Sequence, residues 1–255
     1  MENIRGGRGP LLAAIILGVA AVGAAFYFKP LPALEDKALL ASDSSVQVVR
    51  ERAGLLFVPS SAAKTSGLVF YCGARVPPES YAYLARACAE AGYPAFLASM
   101  PLNFASLAPA RAAAVASYPG IARWVIAGHS EGGTAASSFV ASNYSSKEPM
   151  AVTGLLLLAA LPGRGVDLST KSLQVVTVGA SHDALVPPAK IVAARERLPE
   201  GSRYAEIAGG NHAQFGEYGP QPGDGFAEIP GPIQRKAAVE EAIALLDRVD
   251  AGVGK

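Results

Sequence analysis

A chain of 255 residues, 51% hydrophobic and 17% charged, can bury one sizeable core and falls outside the charge-rich disordered class. A net charge of +1, with no lysine–arginine run and no basic stripe interleaved with aromatics, argues against nucleic acid as a partner. Cys72 and Cys88, the two cysteines, are too few for a disulfide scaffold and lack zinc-site spacing. Two separate buried thiols are expected, with a disulfide as the alternative in an oxidising compartment.

In chain order the first feature is an apolar run without charge, Leu11 to Phe28 (LLAAIILGVAAVGAAFYF), framed by Pro10 and Lys29. It is long enough for a membrane span and longer than most signal-peptide cores. Arg5 and Arg8 precede it, which predicts a cytoplasmic segment 1–10, a transmembrane anchor 11–28 and an extracytoplasmic remainder. The rival is a cleaved signal with Val22-Gly23-Ala24 near the cut, giving a secreted protein. Segment 29–45, rich in proline, charge and serine, is read as a linker ahead of a folded domain over 46–255.

Within that domain, Val46–Arg50 and Leu55–Val58 are β-rich and separated by Gly54, predicting an antiparallel start. Leu68–Cys72 is a strand, and Glu79–Ala91 a helix with Tyr83, Leu84, Ala87, Cys88 and Ala91 on one face. Pro94–Ala98 is a strand, Pro109–Ser117 an alanine-rich helix and Trp124–Ala127 a strand. A helix over Glu131–Tyr144 leads to Gly154–Ala160, an apolar strand suited to burial on both faces. Leu173–Val178 is a strand, Pro187–Arg197 a helix, Tyr204–Ile207 a strand and Pro232–Val249 the closing helix. Strands alternating with helices predict an α/β fold, a mainly parallel sheet of about eight strands with helices on both faces.

The chemistry concentrates in Trp124-Val-Ile-Ala-Gly128-His129-Ser130-Glu131-Gly132-Gly133, which holds the only G-x-S-x-G of the chain. An apolar strand runs directly in and a helix directly out, the setting in which such a serine stands proud on a tight turn. Gly128 and Gly132 need no side chain because strand and helix come too close there. A serine at a helix N-terminus meets free N–H groups that favour developing negative charge, and the Glu131 amide is the first expected oxyanion donor. The second should come from the turn after the Leu68–Cys72 strand, where the amide of Ala74 or Arg75 is the candidate.

A serine at its ordinary pKa needs a base. Of three histidines, His129 adjoins the serine and is expected to point away from the pocket, and His182 precedes Asp183. Only His212, in a loop freed by Gly209 and Gly210, follows every plausible acid, as the order nucleophile, acid, histidine requires. Asp183, at the C-terminal end of a strand, is favoured as the orienting acid over Asp167, while Asp224 breaks the order. Neither metal-ligand spacing nor a phosphate-binding glycine loop is present, so no cofactor and no metal are expected.

With these residues in place, the chain resembles the α/β-hydrolase superfamily across roughly Val46 to Val249. It is most similar to the small lidless fold-5 branch related to dienelactone hydrolases. The stretch Gly209-Gly-Asn-His-Ala-Gln-Phe-Gly-Glu-Tyr-Gly-Pro-Gln-Pro-Gly-Asp-Gly and the turn Tyr71-Cys-Gly-Ala-Arg-Val76, with Pro78 and Tyr81, carry the resemblance. It implies Ser130 as nucleophile, His212 as base and Asp183 as acid. Dienelactone hydrolases proper use cysteine where this chain has Ser130. A helical lid would follow the strand after the nucleophile helix. Pro162–Ser172 is too short for one, so an open site rimmed by Phe215–Pro230 is expected. The expected activity is hydrolysis of small carboxylic esters through an acyl-enzyme. An acyltransferase with the same triad and a non-catalytic hydrolase-like binding protein are the alternatives.

Overall fold

The computed structural model describes residues 29–34, 36–61, 63–144 and 150–252, together with residues 13 and 16–18. The expected span over 11–28 lies almost wholly outside these residues, and among them no helix is long and apolar enough to cross a membrane.

Eight strands form one sheet in the order β1-β2-β4-β3-β5-β6-β7-β8. β1 (Val46–Glu51) and β2 (Gly54–Pro59) make the antiparallel hairpin, and β2 also runs antiparallel to β4 (Ala95–Ala98). From β4 onward every pairing is parallel: β3 (Ser66–Tyr71), β5 (Arg123–His129), β6 (Val152–Leu158), β7 (Gln174–Ala180) and β8 (Arg203–Ile207). Parallel strands need crossovers, and these supply the helices that cover both faces.

Period-two alternation divides the central strands between two cores. Val125 and Ala127 of β5, with Leu156 and Leu158 of β6, face Leu84, Cys88, Leu245 and Leu246. These belong to α1 (Ala82–Glu90) and α4 (Gly231–Ala251). On the other face Trp124, Ile126, Leu155 and Leu157 meet Phe139 and Val140 of α2 (Glu131–Asn143). Burial on both sides explains why β6 reads as an unbroken apolar run. Cys72 and Cys88 are free, buried thiols, and burial holds both above the usual thiol range.

One expected helix is replaced by a tighter 3-10 helix and another is shortened. Pro109–Val115 is a 3-10 helix because the Tyr71 hydroxyl inserts into it, donating to the Pro109 carbonyl at 2.5 Å and accepting the Ala112 amide at 2.9 Å. The stretch expected as Pro187–Arg197 is α3 (Pro188–Ala193) followed by a 3-10 turn, Ala194–Arg197. Between β6 and β7 the described chain contains no helix.

The segment expected as a linker is bound to the domain. Arg86, buried on α1, donates to Asp43 at 2.7 Å, to the Leu39 carbonyl at 3.1 Å and to the Ala41 carbonyl. Leu31, Leu39 and Leu40 pack against the core on that side. Nearer the start, the Leu31 amide donates to the Arg75 carbonyl at 2.8 Å, and the Leu34 amide to the Glu217 carbonyl at 2.7 Å.

Candidate active site

All the expected site residues lie at the carboxyl edge of the parallel strands, where ligand sites of open α/β sheets collect. Ser130 sits between the end of β5 and the first residue of α2 at φ 54° and ψ −124°. A non-glycine residue at positive φ is strained, and such strain is held only where its surroundings over-determine it. The Ser130 amide donates to the Leu158 carbonyl at 3.0 Å, which ties the turn to β6. A Cβ on Gly128 would come within 2.5 Å of the Gly132 and Gly133 backbone, and one on Gly132 would strike the Tyr71 and Cys72 carbonyls. Both glycines are therefore required for the close approach that puts Ser130 at the apex.

His212 and Asp183 pair with each other from the loops that follow β8 and β7. Asp183 Oδ2 lies 2.8 Å from His212 Nδ1, and both side chains are buried. Asp183 Oδ1 accepts the Leu185 amide at 2.9 Å and the Val186 amide at 2.7 Å, so the carboxylate is fixed by its own loop. With Nδ1 engaged, His212 Nε2 is left buried without a partner among the described residues. That nitrogen is the one free to take a proton. The rival acid Asp167 is spent locally on the Ser169 amide at 2.9 Å. His182 is engaged with the Phe226 carbonyl at 2.8 Å.

The two proposed oxyanion amides behave differently. Glu131 opens α2, so its amide precedes any intrahelical acceptor. Its carboxylate turns away and accepts the Ala105 amide at 3.0 Å and the Ser106 amide at 2.7 Å. In the turn after β3, the Arg75 amide donates to the Asn103 carbonyl at 2.7 Å, which removes it as an available donor. The Ala74 amide has no such partner among the described residues.

His129 lies buried beneath the site. Its ring turns inward, 4.6 Å from the His212 ring and 5.7 Å from Phe215. Its Nδ1 lies 2.8 Å from the Tyr81 hydroxyl, which also accepts the Gly73 amide at 3.1 Å. Burial first, and the neighbouring His212 second, hold its pKa well below the usual imidazole range. A neutral His129 therefore underlies the site and links the turn after β3 to the elbow. Period-two alternation signals this: His129 continues the face of Val125 and Ala127, which points to α1 and α4.

Asp224, set aside in sequence because it follows His212, organises the histidine loop. Its carboxylate accepts the amides of His212 at 3.2 Å and Ala213 at 2.8 Å, and lies 3.4 Å from the Ala184 amide beside Asp183. Beyond it, a cavity of about 630 Å³ is bounded by Leu34, Gln214, Glu217, Asp224, Phe226 and Arg235 among others. The expected rim, Phe215–Pro230, thus walls a space beside His212. Ser130 and His212 do not line that space. No group of three or more potential metal ligands occurs among the described residues.

A turn of this shape with a histidine–carboxylate pair can activate a hydroxyl and hold an oxyanion, and known proteins share its scaffold. Dienelactone hydrolase from Anabaena variabilis is 18% identical, with a TM-score of 0.59 over 77% of this chain and 96% of its own. Est1E from Butyrivibrio proteoclasticus is 14% identical, with a TM-score of 0.55 over 80% and 100%. The esterase Est2 from Thermogutta terrifontis, with butyrate bound, is 16% identical, with a TM-score of 0.54 over 80% and 94%. At such identities the likeness is one of fold. No curated protein matches the chain. The sequence profile of the alpha/beta hydrolase family matches residues 67–236, and this chain, with its eight-stranded, mainly parallel sheet, belongs to that family.

Proposed function

We propose that this protein is a serine hydrolase that cleaves carboxylic esters, anchored to a membrane by residues 11–28 with its folded domain outside the cytoplasm. Ser130 attacks the ester carbonyl while His212 Nε2 takes the hydroxyl proton. Asp183 fixes the tautomer and stabilises the imidazolium that forms. The amides of Glu131 and Ala74 receive the oxyanion. The tetrahedral intermediate expels the alcohol, which collects the proton from His212 and leaves an acyl-serine. Water, deprotonated by the same His212, then attacks that ester, and the acid is released as His212 returns the proton to Ser130 Oγ.

One observation carries this reading: His212 is locked to Asp183 through Nδ1 at 2.8 Å while Nε2 has no partner among the described residues, and its ring lies 4.6 Å from that of His129, the neighbour of a serine held at φ 54°. His129 Nε2 is likewise buried without a partner among the described residues, but of the two only His212 pairs its other nitrogen with a carboxylate, the arrangement that fixes the tautomer with Nε2 as the proton acceptor. Similar folds are described as an esterase and a dienelactone hydrolase, which agrees with ester chemistry.

The test is hydrolysis of short-chain p-nitrophenyl esters by the protein and by Ser130→Ala and Asp183→Asn. The Ser130 variant should lose at least about a thousandfold in kcat, and the Asp183 variant about a thousandfold or more, with KM changing far less. Turnover in Ser130→Ala at the unaltered rate would refute the assignment.

A further inference from the structure

The carboxyl edge that holds Ser130 is also where the N-terminal segment docks. The Lys29 carbonyl accepts Arg75 Nε at 2.9 Å. Leu31 and Leu34 follow it onto the Arg75 and Glu217 carbonyls. Arg75 lies in the turn beside the Ala74 amide, and Glu217 lies in the loop after His212. The apolar run ends at Phe28, one peptide unit or about 3.8 Å of chain from Lys29. No length of free linker separates that run from the site edge.

The same edge exposes large apolar side chains. Phe226 is 95% exposed, Leu34 59%, Leu102 58% and Leu107 56%. Each lies in a segment adjoining the site residues. Phe226 and Leu34 flank the cavity beside His212. Leu102 precedes Asn103, whose carbonyl holds the Arg75 amide. Leu107 follows the Ala105 and Ser106 amides bound by Glu131. Apolar side chains this exposed and gathered at one edge mark an interaction surface. The run itself closes with Phe26-Tyr27-Phe28-Lys29, the aromatic and basic composition that favours a membrane boundary.

We infer that the edge carrying Ser130 lies against the membrane surface, with Leu34, Leu102, Leu107 and Phe226 resting on the lipid, so that substrate reaches the site from the bilayer side. The lipid surface is the partner because the chain leaves the apolar run directly into contacts at this edge. A domain on a free linker could present any face; this one is held by hydrogen bonds from Lys29 onward. The inference rests on the reading of residues 11–28 as an anchor.

The test uses the full chain reconstituted into phosphatidylcholine–phosphatidylglycerol vesicles carrying a headgroup-proximal nitroxide lipid. A bimane fluorophore is attached at Phe226→Cys, at Leu107→Cys and, as reference, at Glu200→Cys. Glu200 is exposed in the turn that precedes β8, at the opposite edge of the sheet. The native cysteines are buried and stay unlabelled in the folded protein. Nitroxide quenching should be several-fold stronger at positions 226 and 107 than at 200. Equal quenching at all three in protein that floats with the vesicles would overturn the orientation and leave the anchor standing. Protein that fails to float with vesicles would overturn the anchor, and the orientation with it.

Discussion

Asp224 is the residue whose importance is hardest to see in the sequence and easiest to see in the fold. Its carboxylate collects the amides of His212 and Ala213, so it fixes the backbone from which the imidazole projects. Asp224→Asn keeps the shape but removes the charge and one acceptor oxygen. It should lower kcat about 10- to 100-fold, with KM nearly constant, because small displacements of a catalytic group cost that much. Unaltered kcat in this variant would show that the loop holds His212 without it. His129 gives a pH prediction. Its folded pKa is depressed by burial, so below about pH 6.5 the unfolded chain binds a proton that the folded chain does not. Stability should therefore fall as pH drops below about 6.5, by up to about 1.4 kcal/mol per unit from this group. Urea titrations from pH 7 to 5 should give a shallower fall for His129→Asn than for the parent. Parallel falls would mean that His129 does not control the acid limb.

Among the elements, the β5–Ser130–α2 unit was legible because everything that defines it is local. An apolar strand, paired glycines and a helix start occupy one short stretch, and Gly128 and Gly132 are needed for a contact that the pattern itself implies. Gly132→Ala should destabilise the protein by more than about 3 kcal/mol, since the methyl group would strike the Tyr71 and Cys72 carbonyls of rigid backbone. Denaturant titration measures this, and a loss below about 1 kcal/mol would mean that the turn relaxes easily. Elements set by distant partners were not legible. Alanine-rich 109–115 has the propensity for an α-helix, yet the Tyr71 hydroxyl takes its hydrogen bonds and leaves a 3-10 helix. The Arg75 amide looked equivalent to that of Ala74 until Asn103, from another loop, claimed it. The inward turn of His129 was readable from strand alternation, whereas its Tyr81 partner comes from another part of the chain.

At the scale of the whole molecule, the parallel sheet gathers Ser130, Asp183 and His212 from loops far apart in sequence onto one edge. Their placement on one edge could be anticipated from the strands they follow, since parallel strands bring their carboxyl ends together. What sequence did not convey is that segment 29–45 belongs to the folded body. Its composition of proline, serine and charge matches a linker, but buried Arg86 gathers Asp43 and the Leu39 and Ala41 carbonyls into a fixed strap. Such a strap depends on one cation at the right place on α1, which carries no local signature in the strap itself. Its consequence is mechanical: the N-terminal segment reaches the site edge with its backbone already bound.

The central claim is that Ser130 is an activated nucleophile, and covalent capture tests it most directly. The full chain treated with a fluorophosphonate should gain one phosphonyl group per molecule, located by peptide mass mapping on Ser130. His212→Ala should abolish that labelling under the same conditions, because the hydroxyl would lose its base. A parent protein that stays unmodified while a known serine esterase reacts fully, or a label found on another residue, would contradict the account.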